Sequence, residues 1–188
     1  MKSRAHVPVE PGLAPNTDAR LAGVGRVRHP NSRHCFVCGL ENPVGLKLTF
    51  FDAGLNRAEA GYTVPEKYQG YPGVVHGGVV AAMLDEVVGR AAMSGDPNHF
   101  TVTARLELRY RKPVPVGVPL RLAGFIDRKK GRVATGRGEL RLPDGSIGAE
   151  AEVTLVDYPE APGDAERLEQ LGWRVYEDRS TSTRYDVP

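Results

Sequence analysis

The chain has 188 residues, of which 40% are apolar and 26% are charged, enough for one globular domain with its own core. Its 25 basic and 23 acidic side chains nearly cancel, which argues against an extended nucleic-acid-binding surface. The longest wholly apolar run, Val79 to Leu84, is far shorter than the roughly 20 residues of a membrane span. Two cysteines and a start without a secretory pattern predict a reduced, cytoplasmic protein with no membrane partner.

The two ends of the chain differ in composition from its middle. Residues 1–33 are rich in proline and poor in large apolar side chains, which predicts a mobile N-terminal arm. Residues 34–157 carry the strand and helix patterns of a single domain. Residues 158–188 are mostly polar and are predicted to form an extension with one short helix, at 164–171.

Period-two alternation of apolar residues predicts strands on both sides of one long helix. Two strands, 46–50 and 57–64, come first; the helix begins at Gly77 and ends at the stop signal around Ser94. Four strands follow, at 100–112, 120–127, 133–142 and 147–156. This order predicts an α+β fold, with an antiparallel sheet packed on one helix. Because a single helix covers only part of a sheet, the uncovered face and edge favour an oligomer.

The densest chemical signal is His76-Gly77-Gly78 at the start of the long helix. The first N–H groups of a helix have no partner within the helix, and they carry a partial positive charge. Glycine lets a ligand approach them closely, which suits a carbonyl oxygen that becomes negative during a reaction. A tight turn that needs glycine for its backbone conformation is the alternative interpretation.

Asp85 lies two turns into this helix, within an apolar stretch. A lone acid there is costly unless something uses it, and burial raises its pKa, as a general base near neutral pH requires. The alternative is a structural acid bonded to a backbone N–H or to a second subunit. Glu86, by contrast, has Arg90 four residues later, which predicts an ordinary exposed pair on a solvated face. The helical neighbours of Asp85 cannot pair with a carboxylate: Ala81, Ala82, Val88 and Gly89.

Cys35 and Cys38 form a CxxC pair with His29 and His34 nearby. A structural zinc ion needs four ligands, and the spacing of these histidines does not match a usual zinc finger. A thioredoxin-like role would need a βαβ unit, which the pattern lacks. The sequence therefore predicts a tight turn packed with two thiols, without a metal or any other cofactor.

His76-Gly77-Gly78, followed nine positions after the histidine by Asp85, resembles the hotdog-fold thioesterases of the PaaI type. The resemblance runs from Cys35 to about Asp157. Further matching pieces are Cys35-Phe36-Val37-Cys38-Gly39, Asn42-Pro43, Gly45-Leu46 and Tyr110-Arg111-Lys112-Pro113-Val114.

The resemblance implies a long helix wrapped in a curved antiparallel sheet. It implies a homodimer, or a dimer of dimers, whose active site lies between subunits. It also implies hydrolysis of an acyl-CoA thioester to a carboxylic acid and CoA. Asp85 would act as nucleophile or general base, a backbone N–H of Gly77 or Gly78 would polarise the carbonyl, and His76 and Thr103 would assist. Many relatives have Asn or Gln six residues before the histidine; here that position is Gly70, and the neighbouring Gln69 is the shifted candidate.

On the same resemblance, basic side chains would meet the phosphates of CoA and apolar helix residues would meet the acyl chain. The basic candidates are Arg111, Lys112, Lys129 and Lys130; the apolar candidates are Val80, Met83, Leu84 and Val88. Two alternatives stay open: a hotdog protein that binds acyl-CoA without cleaving it, and a hotdog enoyl-CoA hydratase or dehydratase. The second usually places its histidine and its acid on different elements, whereas here they share one loop and helix.

Overall fold

A six-stranded antiparallel sheet curves around one long helix in the computed structural model, which describes residues 27–159 and 164–176. The sheet order is β1-β2-β4-β5-β6-β3, with every neighbouring pair antiparallel. The expected α+β arrangement, one helix held by an antiparallel sheet, is confirmed. In chain order the elements are β1 (Phe51–Asp52), β2 (Arg57–Thr63), a 3-10 turn (Glu66–Tyr68), α1 (Gly77–Ala92), β3 (Thr101–Tyr110), β4 (Pro119–Lys130), β5 (Val133–Arg141), β6 (Ile147–Asp157) and α2 (Ala165–Gln170).

The first predicted strand, 46–50, is wrong, because β1 begins only at Phe51. Lys47 has a φ of 61°, a left-handed conformation that interrupts an extended strand. The segment is nevertheless buried, and its backbone bonds to the loop that carries the cysteines rather than to a strand. Leu46 N–H donates to the Phe36 carbonyl at 2.8 Å, and Leu48 N–H donates to the Val37 carbonyl at 2.9 Å. The alternation of apolar residues over 46–50 therefore indicated correctly that the segment is buried, but it does not pair as a strand of the sheet.

Helix α1 lies directly on the strands, because glycines in the sheet let its backbone approach. A Cβ atom at Gly124 of β4 would lie 2.2 Å from the Val87 carbonyl oxygen, so no other residue fits there. The apolar side of α1 packs in the core against the sheet. Among the helices of the described residues, none combines the length and apolar character that crossing a membrane needs.

Strand β3 forms a long open edge of the sheet, since β6 is its only partner within the described chain. Several of its side chains are exposed, including Val102 at 47%. Unpaired N–H and C=O groups along ten residues form a template for pairing with another strand. This edge is therefore available for pairing with a further strand.

The N-terminal boundary expected at residue 33 cuts through a packed segment. His29 and Asn31 are buried, and the Asn31 side chain donates to the Cys38 and Leu48 carbonyls at 2.7 and 2.9 Å. Asn31 N–H also donates to the Arg174 carbonyl at 2.9 Å, which joins this segment to the stretch after α2. The short helix expected near 164–171 is found, with Asp164 capping it. Residues 1–26 of the expected arm, and 177–188 of the expected extension, lie outside the described residues.

Candidate active site

The start of α1 presents one backbone N–H that is available to a ligand. His76 caps the helix: its Nδ1 accepts a hydrogen bond from the Gly78 N–H at 3.0 Å, and its carbonyl accepts from the Val79 and Val80 N–H groups. Within the described part of the chain, the Gly77 N–H meets no acceptor. Of the two glycines that the sequence left open, Gly77 is therefore the one whose N–H can polarise a carbonyl.

The loop before the helix explains the glycine at position 70. A Cβ atom there would lie 3.2 Å from the His76 Cα and 3.4 Å from its ring, so a larger residue would press on the cap. The neighbouring Gln69 is exposed, and its side-chain oxygen accepts from the Gly73 N–H at 3.1 Å. Gln69 therefore closes the turn at 69–73 with its oxygen, while its amide nitrogen is left as a donor.

Tyr110 belongs to this site, although the sequence pointed to it only as the end of a strand. Its hydroxyl donates to the Gly77 carbonyl at 2.8 Å and so ties the end of β3 to the first residue of α1. The two residues are 33 positions apart in the chain, and no local pattern connects them. The signal that was present is an aromatic residue at the end of the strand in a segment that resembles the family.

Asp85 is half-buried on α1, and its Oδ1 accepts a hydrogen bond from the Thr103 hydroxyl at 2.7 Å. Burial raises the pKa of the Asp85 carboxyl above its ordinary value, and the nearby Glu86 charge raises it further. The hydrogen bond from Thr103 acts in the opposite direction, because it stabilises the ionised form. The Asp85 carboxylate is therefore partly desolvated and held in place by one hydroxyl.

A β-bulge brings Thr103 to this position. In the pairing of β3 with β6, Thr103 lies opposite Leu155 and Arg105 lies opposite Thr154, so one extra residue is inserted between them. Thr103 and Tyr110 are seven positions apart, and strict alternation would place them on opposite faces of the strand. Both hydroxyls nevertheless contact α1. The bulge therefore resets the alternation and puts both side chains on the face toward the helix.

Replacing Thr103 with Val is expected to move the acid limb of the kcat/KM pH profile to higher pH. Losing the hydroxyl removes the one contact that lowers the pKa of Asp85, so that pKa rises further above its ordinary value. A base must be ionised to act, so activity is then lost at a higher pH during acidification. Initial rates from about pH 4 to about pH 9 measure the limb. Thr103→Ser, which keeps the hydroxyl, is the control. If the acid limb of the Val variant does not move, the Thr103 hydroxyl does not lower the pKa of the catalytic base.

An open groove of ≈ 450 Å³ runs beside the start of α1. Its apolar wall includes Val80, and Arg111 and Lys112 lie at its rim. Arg111 pairs with Glu150, and the Lys112 ammonium donates to the Ser146 hydroxyl at 2.8 Å. The groove therefore combines an apolar surface, two cations and the available Gly77 N–H.

Within one chain, the structure does not bring together the four basic residues expected at the CoA phosphates. Lys129 and Lys130 end β4 at the far end of the sheet, where the Lys129 ammonium lies 3.3 Å from the His99 ring. That end carries the beginning of β3, whereas Arg111 and Lys112 follow its end. A strand of ten residues separates the two pairs by about 30 Å.

Most of the apolar helix residues expected at the acyl chain are in the core. Met83, Leu84 and Val88 are 0% exposed, and they face the sheet, where a Cβ atom at Gly138 would lie 3.2 Å from Leu84. The expectation that these three contact substrate is therefore corrected, because helical periodicity cannot distinguish a core face from a pocket wall. Of the four candidates, Val80 lines the groove.

The exposed Glu86–Arg90 pair expected from the sequence is found as a pair but not as an exposed one. Arg90 is 2% exposed, and its Nε and Nη2 donate to Glu86 Oε1 at 2.9 and 2.8 Å. Its Nη1 donates to the Pro30 carbonyl at 2.5 Å, and its guanidinium lies over the Phe50 and Trp173 rings. Arg90 therefore joins α1 to both ends of the described chain.

Replacing Arg90 with Met is expected to lower the free energy of unfolding by about 3–5 kcal/mol, because it leaves Glu86 without its buried partner. The melting temperature should fall by about 6–15 °C. Urea and thermal unfolding measure both quantities. The control is Arg105→Met, which removes an exposed pair with Glu107 and should cost under about 1 kcal/mol. Similar losses in the two variants would contradict the role of burial.

Comparisons with known proteins show which proteins this chain is similar to. A family model described as "Thioesterase superfamily" matches residues 72–149. The chain is 36% identical to a crystal structure of a thioesterase superfamily protein, covering 66% of this chain and 61% of that one with a TM-score of 0.61. It is 28% identical over 131 residues to acyl-coenzyme A thioesterase THEM4 of Xenopus laevis, which is 68% of this chain and 57% of that protein.

The E. coli PaaI protein shares the fold at 14% identity and a TM-score of 0.56, covering 60% of this chain and 80% of that one. The chain spans between 20% and 57% of the length of the curated THEM4 relatives that it matches. The matched segment contains α1 with Asp85, strands β3 to β5 and the beginning of β6. Residues 72–149 therefore match the thioesterase superfamily, and the chain has the hotdog fold of the structures it resembles.

Proposed function

We propose that this chain hydrolyses acyl-CoA thioesters, releasing a carboxylic acid and CoA, as a PaaI-type enzyme that works in the cytoplasm. The observation that carries the proposal is the half-buried Asp85 carboxylate held by the Thr103 hydroxyl on the face of β3 toward α1. The family relationship and the names of the THEM4 relatives support the substrate class. No cofactor is required by the proposed chemistry, because a carboxylate can activate water or attack the carbonyl directly.

In the proposed reaction, Asp85 removes a proton from water as the water attacks the thioester carbonyl. Alternatively, Asp85 attacks the carbonyl itself, and water then hydrolyses the resulting acyl–Asp85 anhydride to release the acid. The Gly77 N–H donates to the oxygen as negative charge develops, which is worth about 3–4 kcal/mol for one such donor. Collapse of the tetrahedral intermediate breaks the carbon–sulfur bond, and the CoA thiolate leaves and takes up a proton. Thr103 orients the carboxylate.

The Asp85 carboxylate and the Gly77 N–H of a single chain are too far apart to act on the same thioester. Asp85 lies eight residues after Gly77 on the same helix, so the two are about 12 Å apart along its axis. In the proposal, a second copy of the chain supplies the other group of each site.

We infer that the second copy pairs along the open edge of β3. The beginning of β3 carries Thr103 beside Asp85, and its end carries Tyr110 beside Gly77. Antiparallel pairing of two β3 edges about a two-fold axis places the beginning of one strand against the end of the other. The acid of one subunit then faces the amide of its partner. The same two-fold pairing brings Lys129 and Lys130 of one subunit toward the groove of the other. The four basic residues predicted at the CoA phosphates would then lie together, two from each subunit.

The activity is tested with purified protein and a panel of aryl, short-chain and long-chain acyl-CoA esters. We expect thiol release, measured with a thiol-reactive dye, for at least one ester. The signal is corrected for the reaction of the dye with the protein's own cysteines. Saturable CoA-ester binding with no thiol release across the panel would favour the binding-only alternative. Turnover of an enoyl-CoA but no saturated ester would favour a hydratase, and either result overturns the proposal.

A further inference from the structure

The CxxC turn holds one cysteine sulfur in a nest of backbone donors. The Cys35 Sγ accepts hydrogen bonds from the Val37 N–H at 3.3 Å and from the Cys38 N–H at 3.4 Å. The Gly39 N–H donates to the Cys35 carbonyl at 2.9 Å, and a Cβ atom at Gly39 would lie 2.3 Å from that oxygen. Two N–H donors directed at one sulfur stabilise its thiolate form, which is the form that binds metals. The turn is therefore built to hold a thiolate, and only glycine can close it.

A carboxylate of α1 reaches this turn and adds a third potential metal ligand to the two cysteine sulfurs. The Glu86 Oε2 lies 3.7 Å from the Cys35 Sγ, and the Cys35, Cys38 and Glu86 donor atoms all lie within 4.8 Å of one another. Arg90 holds Oε1 of the same carboxylate with two N–H groups, which leaves Oε2 facing the sulfurs. Metal ligands are commonly oriented in this way by a neighbour that holds their other atom.

We propose that Cys35, Cys38 and Glu86 bind one divalent thiophilic metal ion, with Zn²⁺ as the fitting ion. Tetrahedral Zn²⁺ with ordinary bond lengths separates a sulfur ligand from an oxygen ligand by about 3.5 Å and two sulfur ligands by about 3.8 Å. The observed separation of 3.7 Å between the Cys35 sulfur and the Glu86 oxygen lies close to that value. Three protein ligands leave the fourth position for water.

The surrounding charges suit such an ion. Two thiolates and one carboxylate carry three negative charges, which a divalent ion and the buried Arg90 guanidinium together balance. Binding releases thiol protons to the solvent and changes no oxidation state.

The two histidines near the turn are not part of the cluster. His34 is exposed, and the His29 Nε2 is 3.0 Å from Asp52 Oδ1. The expectation of no metal weighed only donors close to the cysteines in the chain, whereas Glu86 follows Cys35 by 51 positions. The bound ion, with water as its fourth ligand, would link the turn to α1 at the residue next to Asp85, and its binding does not depend on the proposed hydrolysis.

The test uses the full chain, reduced and stripped of metal with a chelator, and titrated with Co²⁺. We expect a thiolate-to-cobalt charge-transfer band that saturates at one ion per chain and disappears when Zn²⁺ is added. Zn²⁺ should also raise the melting temperature, because it binds the folded state. Cys35→Ser should abolish the band and weaken Zn²⁺ binding at least about 100-fold in competition with a chromogenic chelator. His34→Ala is the matched control and should bind as the unmodified chain does.

Absence of the charge-transfer band in the unmodified chain overturns the proposal, whatever the variants do. Unchanged Zn²⁺ affinity in Cys35→Ser, or lost binding in His34→Ala, overturns the ligand set. Rapid thiol trapping of freshly prepared protein provides a further test: recovery of Cys35 and Cys38 as a disulfide would remove both sulfur ligands and also overturn it. Binding that persists in the absence of any acyl-CoA hydrolysis leaves the inference standing, since it does not depend on that activity.

Discussion

Replacing Asp85 with Asn is expected to lower kcat for acyl-CoA hydrolysis by about 10³-fold. The amide cannot accept a proton from water or attack a carbonyl, yet it keeps the size of the carboxylate and can still bond to Thr103. Binding of the substrate should change little, because Asp85 acts on the reacting carbon rather than on the CoA portion. Steady-state thiol release on the best ester of the panel measures kcat and KM separately.

The same substitution should raise the melting temperature by about 1–3 °C. Burial raises the pKa of Asp85 in the folded chain, so the folded state favours the protonated form. At neutral pH the ionised carboxylate therefore costs stability, and this cost disappears as the pH falls through the raised pKa. An uncharged amide avoids the cost. Asp127→Asn, which removes an exposed carboxylate paired with Arg137, is the control for both measurements. A lowered melting temperature with activity retained would instead identify Asp85 as a structural acid.

Replacing Gly77 with Pro is expected to lower kcat by about 10²–10³-fold, because proline lacks the N–H proposed to stabilise the developing oxyanion. Gly77 is the first helical residue, where proline is well tolerated, and His76 before it has an extended ψ of 133°, as a residue preceding proline requires. The substitution therefore deletes one hydrogen-bond donor and leaves the helix in place. Circular dichroism checks the helix, and initial rates measure the loss.

Gly77→Ala is the matched control, since it adds a side chain but keeps the N–H. Its Cβ atom would meet the Tyr110 hydroxyl at 3.4 Å, an ordinary contact, so activity should stay within about threefold of the unmodified chain. Equal losses in the Ala and Pro variants would point to crowding by the added atoms and would remove the N–H from the mechanism.

Mixing the two inactive variants tests whether the site is shared between subunits. If the acid comes from one chain and the amide from the other, a mixed dimer of Asp85→Asn and Gly77→Pro subunits contains one intact site. If subunits of an equimolar mixture exchange at random, half of the dimers are mixed and each has one intact site of two. The mixture should then have about a quarter of the unmodified activity. No recovery after confirmed exchange would place both groups in one chain, against the separation of about 12 Å along the helix.

The sequence by itself determined the order of the elements and the helix that carries the chemistry. Local patterns were sufficient for this, because alternation of period two and recurrence at three and four residues report directly on which side chains are buried. The isolation of Asp85 among small apolar residues was also visible, since helical neighbours are set by spacing alone. The resemblance singled out Thr103 as an assisting residue, but its hydrogen bond to Asp85 was not predicted, and strict alternation would have turned its side chain away.

Only the tertiary structure decided which groups meet. A bulge in β3 turns Thr103 toward α1. The His76 ring accepts the Gly78 N–H, whereas the Gly77 N–H is left available. The tertiary structure also buried Arg90 against both ends of the described chain and brought Glu86 to the CxxC turn. Each of these contacts joins residues whose distance in space depends on strand register, helix placement and chain reversal. Those quantities arise from packing of the whole core, and no short stretch of sequence records them.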